Sequence, residues 1–381
     1  LRSNLSYSPL AALELYVKIA KTLMNHTKDF LYALLRVALT GEKPKVFPKN
    51  VNWNVLYDYA IKQGVAAIAM DGLQTLMSKA DFSPVGLDTK TKLQWYSLAM
   101  SIEKRHTKQL ESGKELANVW NKVGIRTLIL KGFAFARYYS NPLQRLASDM
   151  DCYLCGQYEE GNKEVERLGI RVEREDYRHS TFNYKYVFVE NHKICTTVRG
   201  KSQRKRFELY LRSLLENENT KRIDESYLEI PCDRFNALYF LQHSRRHFLR
   251  EGITLRYICD WAMILKNADC FDDDFWNVCK VNDLHTFAES MTRLAYVVCG
   301  VKASWINDEV ELQSHDWRLL DDCYRIADNA IKYGNNFKAH VQMVKNMLAM
   351  RWKYKCFSQR SMEVELISSV WSNWFEKEPK I

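Results

Sequence analysis

Apolar residues recur at three- and four-residue spacing over 8–40 (Leu10, Leu13, Val17, Ala20, Leu23), the period of a helix with one buried face. Gly41 to Asn50 carries Pro44 and Pro48 and reads as a loop. Val51 to Leu76 resumes the helical period through Trp53, Leu56, Ala60, Val65 and Ile68. A long segment from about Thr89 to Val123 has few breakers before Gly124 and predicts another helix.

The period then shortens. Arg126 to Leu130 is an apolar, partly β-branched run between Gly124 and Gly132, which predicts a buried strand. Phe133 to Tyr139 gives one or two helical turns, stopped by Ser140-Asn141-Pro142. Ser148 to Leu154 alternates and predicts a second strand, and Lys163 to Leu168 a helix. Thr181 to Glu190 and Lys193 to Val198 read as two strands joined by a turn at Asn191-His192. From Gln203 helices dominate, most clearly over Phe207–Leu215, Asp233–Leu249, Leu255–Lys266 and Trp317–Tyr333. The pattern predicts an α+β protein in three parts: a helical N-terminal region over 1–105, a mixed-sheet core over 106–202 and a helical C-terminal domain over 203–381.

Composition narrows the class. In 381 residues, 14 Gly and 7 Pro are too few for a collagen-like, disordered or turn-rich all-β chain, and a hydrophobic share of 46% can fill real cores. The net charge of +10 favours anionic partners such as nucleotide phosphates or nucleic acid. Ten irregularly spaced cysteines and no evident signal peptide predict reduced thiols in the cytoplasm. The apolar run Phe30–Leu39 contains Arg36 and is too short for a bilayer, so no membrane is expected. The chain starts at Leu1, and Met24 is a candidate initiator, which would make 1–23 a non-native extension.

The sharpest chemical feature is Ser148-Asp149-Met150-Asp151. On a strand, residues i and i+2 share a face, so Asp149 and Asp151 would present two carboxylates side by side. Such a pair needs a compensating cation, and hard oxygen ligands favour Mg²⁺. Upstream, Leu130-Lys131-Gly132 ends a strand before a helix, a place where backbone N–H groups can face an anion. Arg145 could chelate phosphate, and Glu190, after Val187-Phe188-Val189, offers a third carboxylate. Structural alternatives stay open: Lys131 or Arg145 could pair with Asp149, and Glu190 could be an exposed hairpin end.

The order Leu130-Lys131-Gly132, Tyr138-Tyr139-x-x-Pro142-x-x-Arg145, Ser148-Asp149-Met150-Asp151 resembles the nucleotidyltransferase superfamily, the polymerase β-like fold. It is similar above all to a poorly characterised bacterial branch, whose later Glu-x-His matches Glu190-Asn191-His192. A further stretch of that branch resembles His243, His247, Leu255-Arg256 and Asp260-Trp261-Ala262. The likeness runs from about 50 to 270. It implies a nucleotidyltransferase-type mixed sheet and transfer of a nucleoside monophosphate from a nucleoside triphosphate. It also implies Asp149, Asp151 and Glu190 as ligands of Mg²⁺ or Mn²⁺, with Glu190 helping to deprotonate the acceptor. Lys131, Gly132, Arg145 and Ser148 would bind the nucleotide and its phosphates, and His192, His243, His247 and Arg256 would line the cleft. The acceptor stays open among small molecule, protein and RNA.

The chain departs from the pattern in having Gly132-Phe133 for the usual Gly-Gly or Gly-Ser, and a longer gap from Gly132 to Asp149. Cys195 and Thr197 are alternative alignments for the third carboxylate, which would leave a nucleotide-binding protein without turnover. Arg256 and Asp260, one helical turn apart, predict an internal ion pair. Cys152 and Cys155 would face opposite sides of a strand, so they predict no shared metal. The basic run Arg199–Arg206 suggests a solvated helix start or, on an RNA-binding alternative, a phosphate contact.

Overall fold

The structure is a computed structural model describing residues 26–44, 51–78, 82–176, 178–196, 203–217, 220–303, 305, 310–328, 348–364 and 367. The expected helix over 8–40 is therefore seen only from residue 26, and the candidate extension 1–23 lies outside the described residues.

Four helices open the fold: α1 (residues 26–40), α2 (Trp53–Lys62), α3 (Ala66–Met77) and α4 (Thr89–Asn121). Asn52 caps α2 by accepting from the Val55 amide at 3.2 Å, and Asp88 caps α4 through the Thr91 amide at 2.9 Å. The helical run 51–76 is broken at Gly64, whose φ of +69° suits glycine, and this separates α2 from α3. Gly72 lets α3 press onto α1, since a Cβ there would lie 2.1 Å from the Leu34 carbonyl oxygen. Gly72→Ala is therefore expected to destabilise the protein by about 1–3 kcal/mol despite alanine's helix propensity, read as a lower midpoint in urea unfolding.

The sheet follows, with β1 (Thr127–Ile129), β2 (Met150–Tyr153), β3 (Glu173–Asp176), β4 (His179–Tyr184), β5 (Val187–His192), β6 (Lys221–Arg222) and β7 (Leu228–Ile230). Its order is β3-β4-β5-β2-β1-β7-β6, with β2/β5 and β1/β7 parallel and the other neighbours antiparallel. The mixed sheet lies among helices, as a nucleotidyltransferase-type α+β fold requires. Between β1 and β2 come α5 (Phe133–Ala136) and a 3₁₀ turn at Pro142–Gln144, then α6 (Tyr158–Arg167) after β2 and α7 (Gln203–Asn217) after β5. The helices α8 (Asp233–Arg250), α9 (Leu255–Asn267), α10 (Asp273–Val281), α11 (His285–Cys299), α12 (Ser314–Asp328) and α13 (Arg351–Phe357) complete the described chain.

Several boundaries differ from the sequence reading. The hairpin turns at Lys185-Tyr186, with Lys185 at φ +50°, whereas Asn191-His192 ends β5. Tertiary bonds decide this: Asn191 is buried and donates to the Asn162 side chain at 2.9 Å and to the Tyr158 carbonyl at 3.2 Å. Residues 193–196 are consequently no strand, and 197–198 lie outside the described residues. The sheet also runs past residue 202 by recruiting β6 and β7, and α4 crosses the 105/106 boundary to pack on the sheet. Gly113 of α4 sits where a Cβ would meet the Met150 sulfur at 2.9 Å. One hydrophobic core spans all three expected parts. The helix expected to run to Tyr333 is seen as α12, with 329–333 outside the described residues. Among the described residues no helix is long and apolar enough to cross a membrane.

Candidate active site

Parallel pairing of β2 with β5 sets Asp151 directly opposite Glu190. Asp149 stands just before β2, and ligand atoms of Asp149, Asp151 and Glu190 all lie within 4.8 Å of one another. The alternative third positions are thereby answered: Glu190 faces the aspartates, while the Cys195 amide is tied to the buried Glu208 carboxylate at 2.9 Å. Position 197 lies outside the described residues.

Two basic side chains lie against the carboxylates. The Lys131 ammonium lies 3.1 Å from Asp149 Oδ2 and 3.0 Å from Asp151 Oδ2. His192 Nε2 is 2.9 Å from Asp151 Oδ1 and 3.4 Å from Glu190 Oε2. Ser148 donates its hydroxyl to Asp149 Oδ1 at 2.6 Å. Burial would raise the Asp149 carboxyl, but Lys131 and the Ser148 hydrogen bond hold it below the usual carboxylate range. Burial acts likewise on Glu190 and is outweighed by His192 and Lys131, which keep it far below that range. Asp151 is only 1% exposed, and its burial outweighs Lys131 and His192, raising its pKa above the ordinary carboxylate value.

His192 and His243 answer burial in opposite ways. Burial opposes charge on His192, yet hydrogen bonds to Asp151 and Glu190 lift its pKa above 6.5. Burial lowers His243 well below 6.5, helped by the positive charge of Lys131. The stability conferred by charged His192 is thus fully present below pH 6.5 and lost as pH rises through its folded value. The contribution of neutral His243 is present above pH 6.5 and lost as pH falls toward its depressed value. A histidine-resolved NMR titration should show the two moving to opposite sides of 6.5, and His192→Gln should flatten the alkaline loss of stability.

Helix α8 covers the carboxylates with Tyr239, His243 and His247, one turn apart along one face, and the ring centroids of His243 and His247 are 4.5 Å apart. All three line a cavity of about 300 Å³ that also contains Lys131, Asp149, Asp151 and Glu190. A second hollow of about 200 Å³ lies on the glycine side, bounded by Gly132, Ser148, Arg256 and Tyr257. Gly132 adopts φ +65°, and a Cβ there would lie 3.2 Å from the Asp149 carbonyl, so the turn and the carboxylate strand touch through glycine. Helix α5 is only four residues long, and the amides of Ala134, Phe135 and Ala136 bond back to the carbonyls of Lys131 and Gly132. These three amides are therefore already engaged within the turn.

Arg145 is also placed differently. It is 5% exposed and forms a bidentate pair with Asp260, Nε to Oδ1 at 2.7 Å and Nη2 to Oδ2 at 2.8 Å. Tyr139 donates to the same carboxylate at 2.8 Å. Its guanidinium is held in that buried pair at the edge of the glycine-side hollow, which it also lines. Arg256 in turn donates to the Leu146 carbonyl at 3.2 Å in place of the expected pairing with Asp260. Cys152 is buried in β2 and Cys155 lies beyond its end, both as free thiols. In the basic run, 199–202 lie outside the described residues, and Lys205 and Arg206 belong to α7. Sequence reasoning missed Arg178, Arg246 and Arg250, which line the larger cavity. Arg246 and Arg250 were signalled by falling one helical turn after Gln242 and after each other, beside His243 and His247.

A mixed sheet carrying an Asp-x-Asp strand, a carboxylate on the neighbouring strand and a glycine turn beside them defines a nucleotidyltransferase-type site. Residues 49–300 match the family described as uncharacterised nucleotidyltransferase, and with more than half of its length covered the chain belongs to that family. No curated protein and no solved structure matches it.

Proposed function

We propose that the protein moves a nucleoside monophosphate from a nucleoside triphosphate to an acceptor hydroxyl, with Mg²⁺ or Mn²⁺ held by Asp149, Asp151 and Glu190. The observation that carries this is the convergence of three carboxylates from two paired strands on one cavity. The donor set fits a hard divalent cation: all ligands are oxygens, and buried Asp151 Oδ2 faces the Lys131 ammonium at 3.0 Å, a place a cation already favours. Such an ion supplies charge neutralisation for the phosphates and a Lewis acid at the reacting oxygen.

The chain's own residues orient and neutralise. Lys131 and Ser148 offer donors at the carboxylate edge. Gly132 lets backbone and substrate approach closely, and Tyr239, His243 and His247 form the opposite wall. The acceptor oxygen bonds to the α-phosphorus as the bond from that phosphorus to the bridging oxygen breaks. Pyrophosphate leaves with the electron pair, and the hydroxyl proton passes to solvent. Glu190, held far below the usual carboxylate range, suits charge binding better than the deprotonating role the resemblance implied. A cytoplasmic location belongs to the same proposal, on the irregular spacing of the ten cysteines.

The test is incubation with α-labelled triphosphates, Mg²⁺ and cell extract, followed by identification of the labelled molecule. A second reading, a nucleotide-binding protein without turnover, is favoured by one contact: Lys131 already occupies the space between the aspartates. Tight nucleotide binding by calorimetry with no labelled product from any acceptor would select it.

A further inference from the structure

The face of the sheet that carries the three carboxylates carries a second set of donors beside them. Glu190 and His192 are two apart on β5 and so share that face. Antiparallel pairing with β4 sets His179 directly opposite His192 and Thr181 opposite Glu190. The imidazole rings of His179 and His192 stand 5.1 Å apart between centroids, their planes inclined by 39°. His192 Nε2 lies 3.4 Å from Glu190 Oε2. One ligand atom from each of His179, Glu190 and His192 falls within 4.8 Å of the other two. All three residues line the cavity of about 300 Å³, into which a bound ion could turn its remaining coordination positions.

Glu190 therefore belongs to two triplets. Toward β2 it meets Asp149 and Asp151, an all-oxygen set; toward β4 it meets two imidazoles. The two sets prefer different ions. Carboxylates alone suit Mg²⁺ or Mn²⁺, whereas imidazole suits Zn²⁺ and its neighbours in the late first row. Two histidines and one carboxylate, with a further position open to water or to a substrate oxygen, make a donor set of the kind that holds reactive zinc. A carboxylate has two oxygens, so Glu190 can serve both sides at once. His192 Nε2 also lies 2.9 Å from Asp151 Oδ1, so a divalent ion at that nitrogen meets the charge of two carboxylates.

We propose that His179, Glu190 and His192 bind a borderline divalent ion, Zn²⁺, at a site separate from the Asp149–Asp151 side of the cluster and joined to it through Glu190. The site gives a role to His179, which no sequence motif singles out and which the transfer reading does not use. It goes beyond that reading and does not depend on it.

The test uses the full chain, stripped of metal by chelation, as wild type, His179→Gln and Asp149→Asn. Zn²⁺ affinity is read by competition with a chromophoric chelator in excess Mg²⁺. The wild type is expected to hold Zn²⁺ there, and His179→Gln to lose more than about a hundredfold in affinity, beyond the cost of removing an outer-shell partner. Asp149→Asn should hold Zn²⁺ within about tenfold of wild type. The affinity of His179→Gln for an α,β-methylene triphosphate, measured with Mg²⁺ and no Zn²⁺, should stay within about twofold of wild type. Co²⁺ added to the wild type gives a readout that needs no variant: visible bands of nitrogen and oxygen ligands, without a thiolate charge-transfer band. That control matters because Cys195 lines the same cavity. The proposal is overturned if the wild type binds no Zn²⁺ against Mg²⁺, if His179→Gln binds it like wild type, if a thiolate band places the ion on cysteine, or if Asp149→Asn abolishes Zn²⁺ binding, which would put the ion among the three carboxylates. Failure of the triphosphate to bind wild type with Mg²⁺ would instead remove the transfer reading and leave the zinc result standing.

Discussion

Replacing Asp151 with Asn is expected to lower nucleotidyl transfer by on the order of a thousandfold, with the fold retained. The carboxylate is 1% exposed and lies opposite Glu190 in the sheet register, so no neighbouring group can swing in to replace its charge. Asparagine keeps the shape and can still bond His192, so the loss reports charge rather than packing. The remaining carboxylates, Asp149 and Glu190, would keep Lys131 as a partner and present too little negative charge for a divalent ion. Two readouts check this: labelled product from α-labelled triphosphates, and Mg²⁺-dependent nucleotide binding by calorimetry. Near-normal transfer by Asp151→Asn, with an unchanged circular dichroism spectrum, would rule out the carboxylate cluster as the reacting centre.

The largest effect on stability should come from Arg145→Ala, about 3–5 kcal/mol in urea unfolding. Asp260 would be stranded, 3% exposed, with the Tyr139 hydroxyl as its remaining donor among the described residues. Breaking one half of a buried pair leaves the other half's desolvation uncompensated. Replacing both halves by apolar residues, Arg145→Met with Asp260→Leu, should recover much of the loss. Tyr139→Phe removes one hydrogen bond and should cost about 1 kcal/mol. Recovery in the double variant separates a structural clamp from a phosphate ligand. If Arg145 held phosphate, the stabilised double variant would still lose triphosphate affinity, and nucleotide calorimetry on that variant decides between them.

The parts of this protein that were legible in sequence are those whose signals are local. The segment Ser148 to Leu154 alternates in sequence, the preceding turn is marked by Gly132, and the long helix α4 lacks breakers until Gly124. Glu190 was reached because it follows the apolar run Val187-Phe188-Val189. The errors lie where distant residues decide. Asn191-His192 has the composition of a turn, but Asn162 and Asp151, far away in sequence, hold both residues in a strand. The actual turn, Lys185-Tyr186, contains neither glycine nor asparagine and gave no signal. An arginine before an Asp-x-Asp strand reads equally well as phosphate ligand or structural cation. The partner of Arg145 is a carboxylate 115 positions away. The meeting of the cavity's arginines was hidden for the same reason: Arg178 comes from the residue before β4, and Arg246 and Arg250 come from α8.

The placement of Lys131 has a consequence for how the centre is loaded. An ammonium seated between two carboxylates lets the chain fold and stay assembled with no ion bound, because the repulsion is already quenched. Any divalent ion must therefore compete with a tethered rival whose local concentration never falls. Phosphate oxygens arriving with the nucleotide offer that rival another anion, which lowers the cost of its departure. Ion and nucleotide should then enter synergistically, each raising the affinity of the other by the same factor.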